Sequence, residues 1–390
     1  MTEHDDLADR LLPDDRLERF RSRAAGYDAE NRFFTEDFAE LADAGYLKAL
    51  VPEELGGLGL GLQQTARLQV RLAGAAPATA LAVNMHLVWT GVAKILRDRG
   101  DDSLEFLLRE AGQGEVFAFG LSEAGNDLVL FGSTTEARPR EDGSYAFYGR
   151  KIFTSLSPAW TRLGTMGLDT TSADAPKIVY GFIDRAAGGF EIKQDWDTLG
   201  MRATQSNTTV LDGAVSPADR IVRRLDPGPN PDPLVFAIFA AFETLLAAVY
   251  TGIGARAVEL AVAAAHRRTS LKNDGRSYAA DPDIRWRVAE AAIEQDALLP
   301  QLDAVAGDVD ALADHGAFWF PKLVGLKIRA TETARRVVDQ AVRVSGGSTF
   351  FSGSELGRLY RDVLAGLFHP SDAESAHNTV ANAWLGPIPD

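Results

Sequence analysis

Three patterns of apolar and polar positions succeed one another along the chain. Over residues 1 to about 112 the apolar positions recur at helical spacing, as with Phe38, Leu41, Ala42 and Leu47 in segment 37–50, which predicts helices with one buried face. A glycine-rich turn, ELGGLGLG at 54–61, interrupts them. Segment 68–96 is rich in Ala, Leu and Val all round, so it predicts a helix packed on several sides.

From about 113 to 225 the period drops to two. AFYGRKIFTS, KIVYGFI and TTVLDGAV are short, β-branched and aromatic, and are bounded by turn residues, the pattern of half-buried strands. EDG at 141–143 predicts a hairpin turn. An antiparallel β-domain of six to eight strands is expected. LDPGPNPDP at 225–233 has four prolines in nine residues and marks a boundary. Helices are then expected over 234–250, 252–268, 282–306, 316–344 and 372–385, an antiparallel four-helix bundle with a terminal helix. The fold class is α+β multidomain, with a helical domain over 1–112, a β-domain over 113–227 and a helical bundle over 228–390.

Composition narrows the function. Forty Lys and Arg against 55 Asp and Glu give a net charge of −15, which argues against nucleic acid and anionic membrane as partners. One anionic cofactor in a local basic pocket remains compatible. With no cysteine, disulfides, thiolate metal sites and a cysteine nucleophile are excluded, and no metal is expected. The opening MTEHDDLADRLLPDD is acidic, unlike a secretory signal, and a cytoplasmic protein is expected. The apolar run 235–250 is shorter than the ~20 residues of a membrane span and contains Glu243, so it predicts a buried helix.

Four segments carry candidate chemistry. In FAFGLSEAGNDL (117–128) a strand-like run ends at Ser122, followed by Gly125 and Asn126. Exposed amides and a hydroxyl after a strand can hold a polar ring or a phosphate; an ordinary strand-to-turn junction looks the same. In GRKIFTSLSPAW (149–160), Phe153 is followed by Thr154 and Ser155, an aromatic wall with hydroxyls that suits a stacked heteroaromatic ring. WDTLGMRATQSNTTVLDGAVSP (196–217) places Gly200, Arg202 and Thr204 in a turn before a strand. RVSGGSTFFSGSELGRLYRD (343–362) sets Gly346-Gly347 between helical stretches, where backbone can approach a phosphate chain.

Together, and with FAELADAGYLKALVPEELGGLG at 38–59, these segments resemble the acyl-CoA dehydrogenase superfamily over nearly the whole chain. The Ser122 segment resembles that family's T-E-P-x-x-G-S-D flavin loop, the third its L-G-x-R-x-S/T turn, and the fourth its G-G…R-x-x-R-D signature. The resemblance implies a helical domain, a β-barrel-like middle domain and a four-helix bundle, in a homotetramer or homodimer. It implies FAD, with FMN as the alternative. Phe119, Leu121, Ser122, Gly125, Asn126, Phe153, Thr154 and Ser155 would then meet the flavin ring or phosphates. Arg268, Thr269, Gly346 and Gly347 would hold the adenine or pyrophosphate end, contributed by a neighbouring subunit.

The sequence departs from the family pattern in two places. The flavin loop is two residues shorter and lacks its proline. Where many members carry a catalytic glutamate, eight or nine residues past R-D, Arg361-Asp362 is followed by Phe368-His369-Pro370-Ser371, and proline cannot act as a base. Other members carry the base on an earlier bundle helix; here Glu243 lies one position from the best register. Its apolar surroundings would raise its pKa toward that of a general base, whereas an ion pair with an arginine such as Arg256 would make it structural. His369, with His86 and Ser155, also resembles the flavin monooxygenase branch typified by dibenzothiophene monooxygenases. Two readings follow. One is dehydrogenation of an acyl-CoA, with Glu243 as base and an electron-transfer flavoprotein as partner. The other is a reduced-flavin, O2-dependent monooxygenase served by a flavin reductase, with His86, Ser155 and His369 at the ring. A flavin-binding protein without turnover is a third.

Overall fold

The computed structural model describes residues 3–388. Its N-terminal helices are α1 (Glu3–Leu11), α2 (Asp14–Glu30), α3 (Thr35–Asp43), α4 (Leu62–Ala73), α5 (Pro77–Asp98) and α6 (Glu105–Gly112). α5 opens on a proline and is buried almost all round from Thr79 to Val92, as its uniformly apolar sequence requires. The glycine-rich turn folds back so tightly that a Cβ at Gly57 would lie 2.0 Å from the Val51 carbonyl oxygen.

Eight strands follow: β1 (Phe117–Gly120), β2 (Glu136–Pro139), β3 (Tyr145–Lys151), β4 (Arg162–Asp169), β5 (Lys177–Asp184), β6 (Phe190–Ile192), β7 (Thr209–Ser216) and β8 (Ile221–Leu225). They form one sheet in the order β6-β7-β3-β2-β4-β5-β8, with β1 added beside β4. Most pairs are antiparallel, and the expected 141–143 turn joins β2 to β3. The expectation of a purely antiparallel sheet is corrected at two pairs, because β1 and β2 both run parallel to β4.

After the proline-rich link come α7 (Pro233–Arg267), α8 (Pro282–Asp296), α9 (Leu298–Asp310), α10 (Trp319–Ser345), α11 (Glu355–Val363) and α12 (Ala373–Leu385). Two expected boundaries are corrected. Segments 234–250 and 252–268 form one continuous helix, and 282–306 is divided at Ala297. Pro300, lacking an N–H, cannot continue α8's ladder. α5 and α7 are long and apolar enough to cross a membrane, but 94% and 83% of their apolar windows are buried in the protein. They are core helices. One apolar core joins the N-terminal helices, the bundle and one side of the sheet; a smaller one around Phe147, Trp160 and Leu163 lies within the β-domain.

Candidate active site

The seam between the end of β1, the loops after β1 and β3, and helix α7 contains two adjoining cavities of about 280 and 250 Å³. They share Phe119, Ser122, Phe242 and Pro370. Phe119 stacks on Phe242, ring centres 5.4 Å apart, so a strand residue and a bundle residue make the partition.

The first cavity is walled by aromatics and hydroxyls. Phe153 is half exposed and packs edge-on at 6.0 Å from Trp196. Its φ of 56° turns the chain sharply after β3, and Ser155, two residues on, lines the same cavity. Ser155 belongs to a chain of hydroxyls whose polarity is fixed from one end. Thr204 Oγ1 donates to the Met201 carbonyl at 2.8 Å, so it accepts from Ser206, and Ser206 accepts from Ser155, each at 2.7 Å. Ser155 therefore faces the cavity as an acceptor.

His369 reaches this cavity from the loop after α11. Its Nε2 lies 2.9 Å from the Tyr250 hydroxyl. Burial, with Lys327 nearby, pushes its pKa down to about 3, so the ring is neutral. Lys327, fully buried on α10, holds the loop by donating to the carbonyls of Gly366, His369 and Ser371 at 3.3, 2.8 and 2.6 Å.

Glu243 lines the second cavity and is 2% exposed. Its Oε1 accepts from the Ser371 backbone N–H and hydroxyl at 3.3 and 3.0 Å. Its Oε2 is buried with no hydrogen-bond partner among the described residues. Desolvation raises its pKa to about 7, opposed by Lys327 and the Ser371 hydrogen bonds. The proposed ion pair with Arg256 is not formed, since Arg256 pairs with Glu355 at 2.8 Å.

The other sequence-derived candidates divide clearly. Phe119, Leu121, Ser122, Phe153 and Ser155 line the cavities. Gly125, in a turn with φ of 76°, and Thr154 do not. The Asn126 side chain is committed to its own loop, donating to Glu123, Val129 and Gly132. His86, expected over the flavin, is corrected: its Nε2 contacts the Leu47 carbonyl, its Nδ1 accepts the Phe117 N–H, and it lines neither cavity. At the far end of α7, Arg268 donates to the Val344 carbonyl at 2.8 Å and crowds Gly346. These residues line neither cavity, and neither do Gly347 and the exposed Thr269.

The sequence reading missed the buried pair Glu123–Lys151, 2.6 Å apart. The ammonium holds the Glu123 pKa down to about 2 against desolvation, and burial lowers that of Lys151 to about 8. Glu123 also accepts from the Thr134 and Thr135 amides, which fastens the loop after β1 to β3. A lysine in an alternating strand gave no sign of facing inward. The R-D signature proved to be a clasp: Asp362 accepts the Met201 N–H at 2.6 Å and Arg361 grips Asp28 and the Leu199 carbonyl. Gly200 lies so close that a Cβ there would be 2.3 Å from the Arg361 carbonyl oxygen.

A helical domain and a bundle closing on the end of a sheet, around an aromatic cavity edged with hydroxyls, define the class of flavin-dependent oxidoreductases with this three-part fold. The profile of the acyl-CoA dehydrogenase N-terminal domain matches residues 17–102 and that of the C-terminal domain residues 244–371. The chain belongs to the acyl-CoA dehydrogenase superfamily. It is 30% identical to L-evernosamine nitrososynthase of a Micromonospora species, over 90% of this chain and 83% of that one. It is 28% identical to the amino sugar nitrososynthase DnmZ of Streptomyces peucetius, over 98% and 92%. The structure of KijD3 with FMN and dTDP-3-amino-2,3,6-trideoxy-4-keto-3-methyl-D-glucose superimposes with a TM-score of 0.86 at 28% identity, covering 100% of this chain and 95% of that one.

Proposed function

We propose that this protein is a reduced-flavin-dependent monooxygenase that transfers one oxygen atom of O2 to the nitrogen of an amine. The observation that carries the reading is the loop 366–371. It presents a neutral histidine, His369, and a proline, Pro370, to the first cavity, where dehydrogenases of the family bear a glutamate. The relatives support it, since amino sugar nitrososynthases are named for oxidation at an amino nitrogen. FMN is favoured over FAD by its presence in KijD3.

The residues suit a flavin. Phe153 and Trp196 offer aromatic faces, Ser155 an acceptor for a ring N–H, and His369 a neutral imidazole. Two adjoining cavities of about 280 and 250 Å³ provide a volume typical of small-molecule sites, roughly 300–1,000 Å³. Reduced flavin, when bound, supplies the two electrons that reduce the second oxygen atom to water. The protein's part is to exclude bulk water, fix the ring, and hold a proton at His369. The hydrogen bond between Nε2 and the Tyr250 hydroxyl fixes the orientation of the imidazole at the cavity.

With FMN, NAD(P)H, a flavin reductase and isotopically heavy O2, an amine substrate should gain one labelled oxygen on nitrogen. His369→Ala should slow that transfer by about 10²-fold or more while leaving FMN affinity nearly unchanged. Anaerobic bleaching of the bound flavin by an acyl-CoA, with no labelled product from any amine, would reject the oxygenase in favour of dehydrogenation.

A further inference from the structure

The second cavity has a chemical character of its own. Carboxylates at Asp127 and Glu243 line it, and among the described residues no lysine, arginine or histidine does. Its remaining wall is chiefly apolar, Phe131, Ile238 and Phe239 among it, with Ser371 as one of its hydroxyls. The buried Lys327, whose charge is felt at Glu243, makes no hydrogen bond to it and spends its donors on three backbone carbonyls. Glu243 Oε2 is a buried acceptor with nothing to accept. A buried acceptor left unpaired is destabilising, more so when charged, so this oxygen points to a ligand that brings a donor. A diphosphate would meet only negative charge here, whereas an ammonium would meet a complementary one.

We propose that this cavity is the substrate subsite, that it takes a small, largely apolar primary amine bearing no phosphate, and that Glu243 Oε2 receives the ammonium proton. This rests on the oxygenase reading for its chemistry, though not for the binding. The amine would lie against Phe119 and Phe242, the partition shared with the flavin cavity. In the balanced step, R–NH3+, O2 and reduced flavin give R–NHOH, water, oxidised flavin and one proton. The proton passes from nitrogen to Glu243, the freed lone pair forms the N–O bond, the O–O bond breaks, and the flavin's two electrons leave the second oxygen as water. The subsite sets this chain apart from KijD3, whose bound sugar carries a nucleoside diphosphate.

Calorimetric titration of the oxidised FMN holoenzyme tests it without turnover, with n-hexylamine, n-hexanol and dTDP as probes. Hexylamine should bind at least tenfold more tightly than hexanol. Glu243→Gln should weaken the amine at least tenfold and leave the alcohol unchanged, which also shows that the cavity is intact. dTDP should not compete with hexylamine. Equal affinity for amine and alcohol in the unaltered protein, or competition by dTDP, would overturn the proposal even if the variant failed to fold. The two readings fail separately. Amine binding through Glu243 without labelled product sinks the oxygenase and spares the subsite. Labelled product with no effect of Glu243→Gln on binding or rate sinks the subsite and spares the oxygenase.

Discussion

Two buried histidines show what a residue's surroundings decide. His86 and His369 are both neutral, but His86 has both ring nitrogens on backbone groups while His369 has one on a tyrosine at the cavity. Burial lowers the pKa of His86 to about 4. An unfolded histidine titrates near 6.5. As pH falls between those values, the unfolded chain takes up a proton that the folded one refuses. The contribution of His86 to stability is complete above the unfolded value and falls by about 1.4 kcal/mol per pH unit on acidification. His86→Gln should remove a one-proton slope from urea midpoints measured between pH 6.5 and 4; an unchanged slope would mean that the folded ring is protonated. The sequence could not separate these histidines. The partners that fix His86 lie 39 and 31 residues away, and a histidine on an apolar helix reads the same whether it faces backbone or cavity. Glu243 was legible because its apolar neighbours are local, on the same helix. Lys327, whose partners are carbonyls 39 to 44 residues ahead, was not.

At the scale of elements, the order of helices, strands and helices was readable because each has its own period, while two helix boundaries and the direction of two strand pairs were not. The boundary expected between 250 and 252 falls inside a single helix of 35 residues, which Gly252 and Gly254 continue. Their role is closeness. A Cβ at Gly252 would lie 2.3 Å from the Val70 carbonyl oxygen of α4, whereas one at Gly254 would meet the end of the Gln295 side chain. Backbone cannot step aside and a side chain can. Gly252→Ala should lower stability by about 1–3 kcal/mol through overpacking. Gly254→Ala should be nearly neutral, since alanine returns roughly 1 kcal/mol of helix propensity. Urea midpoints of the two variants check this, and equal shifts would contradict it. The meaning of the R-D signature was hidden for a related reason: it closes on a turn 161 residues earlier, and no periodicity records such a contact.

For the whole molecule, the charge of −15 matters to a substrate more than to the fold. A cationic amine approaches down a favourable potential and a phosphorylated one against it. Salt shortens that field to about 10 Å at 0.1 M. The kcat/KM for a primary amine should therefore fall as NaCl is raised from low to physiological strength, with kcat nearly constant. A rise, or no change, would place the attraction elsewhere.

The ammonium of Lys327 acts as a keystone. It secures, in one short stretch, the histidine of one compartment and the serine that orients the carboxylate of the other. Chemistry and selectivity are thus anchored to the same stone, and neither can drift without the other. The outer wall from Asp127 to Phe131 is held apart from it, so descendants of this protein are free to re-cut the substrate's mould there while the reactive face keeps its shape.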